Sequence, residues 1–392
     1  MDRITLAPGE KDELIKALLA NTIRPDQLDQ LRQAVDEHDL SKIIQRIYDL
    51  NHQQVARIAA LDNILGKIDA VKNSRRNTYF TDQIKKGFRG KPGNIVVLAE
   101  GDSWFNYPVL LSDVLDWVSM EPDIIVYSLA EGGDWLLNML SARKYVEQLS
   151  VIQPDVFLIS AGGNDLVGRN RLAAMVSTDD ATAEYEANDW AKGLIEKAKK
   201  RVKPIAIYEK DRFENGIKYI AKDFYALLMF FHLQYYFMIS GILLGGKFPD
   251  IRIMTQGYDY AIPNRDKKFG LNPLRWYRPF VRMFLGHGGW LKTPLQLRGI
   301  QNEKNQADIV YAMIYLFNEM MIFTGDLFCQ MPDMGERVFH IDSRGSIGAD
   351  GWSDELHPLP KHFKNTGRTF VDCIRKRPSD HAQVYVVKDL NP

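Results

Sequence analysis

From residue 94 onward the apolar positions of this chain gather into short runs separated by longer stretches of mixed polarity. Five runs stand out: Ile95–Ala99, Ile124–Leu129, Val156–Ser160, Ile251–Thr255 (interrupted by Arg252) and Val338–Ile341. Runs this short and this continuously apolar suit strands buried on both faces. Their separation by helical stretches predicts a parallel sheet covered on both sides. Residues 1–90 have another texture. Leu14-Ile15, Leu18-Leu19, Leu28, Leu31, Ile43-Ile44, Ile47, Val55, Ile58, Leu61 and Ile64-Leu65 recur mostly at three- and four-residue intervals among charges, the spacing of amphipathic helices. Asp26 and Ser41 are candidate N-caps, and Pro25 separates the first two helices. Residues 73–94 read as a connecting segment. The expected organisation is a helical N-terminal extension or adaptor-like module over 1–90 and an α/β domain over 91–392, with insertions near 167–222 and 257–310.

One stretch departs from the short runs. Phe224–Gly246 holds 23 residues without a charge, enough for a membrane span, which needs about 20. His232, Gln234, Tyr235 and Tyr236 dilute that signal. A crossing here would also put the first three strand ends and the last on opposite sides of a bilayer. A buried or interface-lying helix feeding the fourth strand is the expectation.

Composition adds exclusions. The 392 residues carry 50 basic and 50 acidic side chains, so no global field points to nucleic acid as partner. Cys329 and Cys373 stand in no C-x-x-C or Cys/His metal spacing and are expected to be reduced core residues. Charges at Asp2, Arg3, Glu10, Lys11, Asp12 and Glu13 replace the apolar core of a secretory signal, making a cytoplasmic location the expectation.

The chemistry-bearing residues follow the apolar runs, where ligands bind in open parallel sheets. Ser103, in Gly101-Asp102-Ser103-Trp104-Phe105, follows the first run, and Gly132-Gly133 follows the second. Gly162-Gly163-Asn164-Asp165 follows the third, and Asp354-Glu355-Leu356-His357-Pro358 comes after the fifth. A hydroxyl is a weak nucleophile near neutral pH. It needs an imidazole to take its proton and a carboxylate to orient that imidazole. Ser103, His357 and Asp354 are the candidates, and their separation lets Asp354 and His357 share one tight turn. Gly101 is read as allowing the turn that exposes the hydroxyl.

Gly101-Asp102-Ser103, Glu131-Gly132-Gly133-Asp134, Gly162-Gly163-Asn164-Asp165 and Asp354-Glu355-Leu356-His357 resemble, in order and internal spacing, the four blocks of the SGNH, or GDSL-like, hydrolases. Over roughly residues 94–375 the resemblance implies a three-layer α/β/α, flavodoxin-like fold, here with a five-stranded parallel sheet. It also implies a serine esterase or lipase with neither metal nor organic cofactor. By block position Ser103 is the nucleophile, His357 the base and Asp354 its orienting acid. The backbone N–H groups of Ser103 and Gly133 and the side-chain amide of Asn164 form the oxyanion hole, whose donors lower the barrier by stabilising developing charge. Trp104 stands where the pattern has leucine, changing the pocket wall but not the nucleophile. Asp102 is read as a turn residue, Asp165 as the organiser of the Asn164 loop, and Glu355 as pointing away from the imidazole.

A lipid or phospholipid ester is the favoured substrate, with a carbohydrate O-acetyl ester as the alternative. The reading from another class is a catalytically silent scaffold or binding protein that meets a protein partner, or itself, through residues 1–90. Arg265, Lys267, Lys268, Arg275, Arg278 and Arg282 interleave with Phe269, Trp276, Tyr277, Phe280 and Phe284, a candidate peripheral membrane contact. The basic run 197–203 reads as an exposed helix face. His287-Gly288-Gly289-Trp290 is taken as an insertion loop, because the nucleophile lacks the G-x-S-x-G elbow. His38, His52 and His381 read as surface residues, and His340 and His362 as candidate supports of the catalytic turn.

Overall fold

The computed structural model describes residues 6–7, 9–19, 22–34, 72–107, 112–200, 209–263, 289–332, 336–352, 354–379 and 381–388. Among them, six strands form one sheet: β1 (Ile95–Gly101), β2 (Ile124–Ser128), β3 (Val156–Ser160), β4 (Arg252–Gln256), β5 (Val338–Asp342) and β6 (Val384–Val386). Their order is β2-β1-β3-β4-β5-β6, and every neighbouring pair is parallel. Six strands correct the expected five. β6 is three residues long and lies at the sheet edge beside β5, so it lacks the longer apolar run that marks a strand paired on both sides.

Successive strand residues face opposite sides, and here each side has its own core. On β1, Val96 and Leu98 join one apolar cluster while Val97 and Ala99 join the other; on β3, Phe157 and Ile159 face the first and Val156 and Leu158 the second. This double burial is why β1 and β3 carry apolar residues at several successive positions. The architecture is α/β, with helices packed on both faces of a parallel sheet.

Near the N-terminus, α1 (Glu10–Leu19), α2 (Pro25–Ala34) and the connection between them bury Leu14, Ile15, Leu18, Leu31 and Ile23 in the first cluster. The remaining N-terminal periodicity, from Ile43 to Leu65 with Ser41, lies outside the described residues, as do His38, His52, His287, Gly288 and the basic and aromatic stretch Arg265–Phe284. A third helix, α3 (residues 72–85), occupies most of what reads as a connecting segment, with Lys72, Arg76 and Phe80 buried at four-residue spacing. α4 (Val114–Val118) covers the second core, and α5 (Gly163–Val167) carries Asn164. Lys197, Lys199 and Lys200 stand exposed on α6 (Asp189–Lys200).

Beyond it lies the uncharged run, in α7 (Lys222–Leu243). Together with α8 (Glu303–Cys329) it is long and apolar enough to cross a membrane, yet 83% and 89% of their apolar windows are buried inside the fold. α7 is the buried helix expected before β4. α8 is not foreseeable from an uncharged run, because Asp308, Glu319 and Asp326 interrupt it. α9 (Pro360–Ile374) returns across the second core. Arg252, the one charge in the fourth apolar run, donates to the Cys373 and Ile374 carbonyls at 3.1 and 2.8 Å. It thereby ties β4 to the C-terminus of α9, where the last carbonyls run out of helical partners.

β1 has β2 on one side and β3 on the other, so the chain leaves successive strands in opposite directions. Such a reversal opens a crevice at the C-terminal strand ends. Ser103 and Asn164 follow the two strands that flank it.

Candidate active site

At the end of β1 the Asp102 N–H donates to the Ser160 carbonyl at 2.9 Å, and the Phe105 and Asn106 N–H groups both return to the Asp102 carbonyl at 3.0 Å. Ser103 therefore sits on a tight turn bound to β3. A Cβ on Gly101 would lie 2.8 Å from the Phe105 ring and 2.9 Å from the Ser160 carbonyl oxygen. Closeness to the neighbouring chain, rather than a left-handed backbone, is what requires glycine here.

Ser103 Oγ lies 2.8 Å from His357 Nε2. On the far side of the ring, His357 Nδ1 lies 2.9 and 3.0 Å from the two Asp354 oxygens. Asp354 Oδ1 also accepts the Leu356 and His357 backbone N–H groups, each at 2.8 Å, which fixes the carboxylate on the turn that carries the imidazole. A carboxylate facing Nδ1 keeps the proton there and leaves Nε2 to accept from the serine. Burial alone would push the Asp354 pKa up, but the His357 charge and these hydrogen bonds hold it below the ordinary aspartate value. Burial would conversely lower His357, and Asp354 overrides it, raising the imidazole pKa.

Asn164 Nδ2 donates to the Asp134 carbonyl at 3.0 Å. A side-chain amide has two N–H groups, so one remains for a ligand. Ser103, His357 and Asn164 line one cavity together; Gly133, in the left-handed region at φ 84°, is next to Asp134 but is not among the residues lining the cavity. Asp354 stands behind His357. Glu355 is directed elsewhere, accepting from Leu291 and Lys292 N–H at 2.8 and 3.1 Å.

No family model and no curated protein matches the chain. Among solved structures it is similar to an extracellular lipase from Streptomyces rimosus, with a TM-score of 0.34 and 12% identity over 72% of this chain and 100% of that one. It is also similar to a phospholipase A1 from Streptomyces albidoflavus NA297, with a TM-score of 0.33 and 12% identity over 73% of this chain and 100% of that one. Both likenesses are too distant to carry an argument.

The cavity wall is mostly apolar. Leu166, Val167 and Leu172 come from one insertion region or its border, while Leu291 and Val310 come from or border the other; Met313, Ile314 and Leu356 complete this side. Two polar residues of the wall, Tyr258 and Asp259, escape the motif reading, although they lie just past β4, the strand end to which no chemistry is assigned. The Tyr258 hydroxyl donates to the Asp102 carboxylate and accepts from Gly163 N–H at 3.1 Å. Its ring meets Trp104 edge-on at 5.5 Å and stacks on Phe317 at 5.6 Å. Trp104 thus helps hold Tyr258 in place.

Burial pushes Asp102 up to about 6, against the opposing effect of its hydrogen bonds from Tyr258 and Trp104 N–H. Asp165 is likewise raised by burial to about 6 while accepting from Leu136 N–H at 3.0 Å. Asp259 reaches about 7 through burial, although it accepts from Tyr260, Gly345 and Ile347 N–H and from Ser346 Oγ. His340 meets Thr255 and Asn318 at 2.9 and 3.1 Å, and Asn318 in turn donates to the Tyr258 carbonyl. It supports the Tyr258 segment rather than the His357 turn. His362 lies against Gly351, and His381 is half-buried beside β6. Among the described residues, no group of three or more His, Cys, Asp or Glu gathers to hold a metal.

Proposed function

We propose that this protein is a serine ester hydrolase of the SGNH kind whose substrate carries an apolar acyl group, a lipid or phospholipid ester being favoured. The observation that carries the reading is the unbroken line of contacts from Asp354 through His357 to Ser103 Oγ. In the proposed reaction Ser103 Oγ attacks the ester carbonyl carbon while its proton passes to His357 Nε2. The charge on the carbonyl oxygen is met by Ser103 and Gly133 N–H and the Asn164 amide. Collapse breaks the bond to the alcohol, which takes the proton from His357 and leaves acylated Ser103. A water then gives its proton to His357 and attacks the acyl carbon. Collapse releases the carboxylic acid as Ser103 recovers its proton.

The apolar wall supports an acyl chain over a sugar. Contact with a membrane surface through the basic and aromatic residues between Arg265 and Phe284 belongs to the same proposal. The test is a panel of acyl and acetyl esters, with a fluorophosphonate probe applied to wild type and Ser103→Ala. Hydrolysis and labelling should vanish in the variant. Equal rates in the two proteins would remove Ser103 as nucleophile, and a folded wild type that neither labels nor hydrolyses would favour the silent scaffold.

A further inference from the structure

One face of α3 carries Lys72, Asn73, Arg76 and Asn77, residues spaced to lie together on a helix. Arg76 Nη1 donates to the Phe105 carbonyl at 3.0 Å, two residues after Ser103. Its Nη2 meets Asp113 and Asp116, both at 2.6 Å. Lys72 pairs with the same two carboxylates, at 2.9 Å for Asp116. Asp113 in turn accepts from Tyr107 N–H at 3.1 Å, and the Tyr107 ring lies 5.1 Å from the His357 ring. The loop that leaves the serine is therefore tied to the helix at both ends, and its Tyr107 backs the imidazole.

The remaining pair binds the other loop. Asn73 donates to the Ala130 carbonyl at 2.6 Å, which Asn106 shares at 2.9 Å, three residues before Gly133. Asn77 both donates to the Ser128 carbonyl and accepts its N–H, each at 2.9 Å. Its amide thus pairs with the edge of β2 as another strand's peptide would.

We propose that α3 is a positioning element for the reactive centre, with Arg76 the positioning residue for the Ser103 turn and Asn73 and Asn77 the residues that hold the Gly133 loop. The inference rests on the hydrolase reading above and deepens it. A buried ion cluster bonded to a backbone carbonyl beside the nucleophile fixes where that nucleophile stands. The sheet already links the two strand exits, through Glu131 N–H to the Gly101 carbonyl at 2.9 Å, and a helix from outside the sheet adds a second brace to both loops.

Arg76→Lys keeps a charge between Asp113 and Asp116 but gives up the planar fork that reaches both carboxylates and the carbonyl. Arg89→Ala is the control, because Arg89 ties the same region to the Ile152 and Gln153 carbonyls at 2.5 and 3.0 Å, at neither loop. For each variant, fluorophosphonate labelling of Ser103 per folded molecule is measured against pH, together with amide exchange at residues 102–107 and 130–134. Arg76→Lys should label at least about tenfold more slowly, within the cost of misplacing a reacting group. Its pH midpoint should be unchanged and exchange in both segments faster, with Arg89→Ala like wild type. Unchanged labelling and exchange in Arg76→Lys, or an equal loss in Arg89→Ala, would overturn the proposal. If Arg76→Lys does not fold, Asn73→Ala is judged by the same criteria. If wild-type Ser103 does not label, the hydrolase reading fails, and amide exchange alone then decides whether α3 holds the two loops.

Discussion

The Tyr258 hydroxyl donates to the carboxylate of Asp102, the residue before Ser103. It also accepts from Gly163, the residue before Asn164, and so joins two chain segments that the sequence places about sixty residues apart. Tyr258→Phe keeps the ring between Trp104 and Phe317 but leaves Asp102 short of a donor and Gly163 N–H short of an acceptor. An unmet buried polar group costs about 1–3 kcal/mol. Asp102 ionises in the folded protein near pH 6, above its ordinary value of 3.8, so its burial penalises folding once the pH rises through that window. Thermal melts of Tyr258→Phe should therefore show a larger loss at pH 8 than at pH 4. An equal loss at both would mean that the hydroxyl does not stabilise the ionised form.

Asp354→Asn removes the charge that raises the His357 pKa. Under the proposed chemistry His357 must be neutral at Nε2, so the rate of fluorophosphonate labelling should rise with pH through the His357 pKa. In the variant that midpoint should move to lower pH, and the limiting rate should fall by about 10⁴, the scale seen when a triad histidine loses its orienting carboxylate. A midpoint that stays in place would detach Asp354 from the titration.

Asn164→Ala deletes one candidate oxyanion donor and a hydrogen bond to Asp134. The expected loss in kcat is about 10²–10³ with little change in KM, because the donor acts on charge that develops only in the transition state. A rise in KM at constant kcat would make Asn164 a residue of substrate binding alone.

Asp259 stands at about pKa 7 through burial. Its folded value lies above its unfolded one, so its contribution to stability is fully present below about pH 4 and is lost as pH rises to about 7, by at most about 1.4 kcal/mol per unit. Chemical denaturation of Asp259→Asn should show a flatter dependence than wild type between pH 5 and 7. A slope unchanged by the substitution would assign the effect to Asp102 or Asp165.

Met313 lines the apolar wall. Met313→Trp should narrow the cavity and shift the preference among straight-chain esters toward shorter acyl groups, read as kcat/KM across a chain-length series. An unaltered series would place the acyl chain elsewhere.

What was legible in the sequence follows from what each feature needs. Strands buried on both faces must be apolar at successive positions, so β1 to β5 stand out without any knowledge of their partners. Ser103, Asn164 and His357 fall at the C-terminal ends of such runs or beyond the last. Other parts depend on distant partners. Tyr258 gains its role only from Asp102 and Gly163. The Arg76 cluster looks like surface charge until Asp113 and Asp116 are beside it, and α8 conceals its burial behind Asp308 and Glu319, which are themselves buried. Gly133 shows the opposite limit: its place after β2 is plain in the sequence, whereas whether it lines the cavity depends on how the loop folds.

Ser103 and His357, in contact through Oγ and Nε2, stand 254 positions apart in the chain. During synthesis the serine emerges long before His357, so a nascent chain carries its hydroxyl with no base beside it until the residues after β5 have folded onto the sheet. Under the proposed chemistry, reactivity arrives late and all at once, and prematurely terminated chains would be inert toward esters even where their first strands had already assembled.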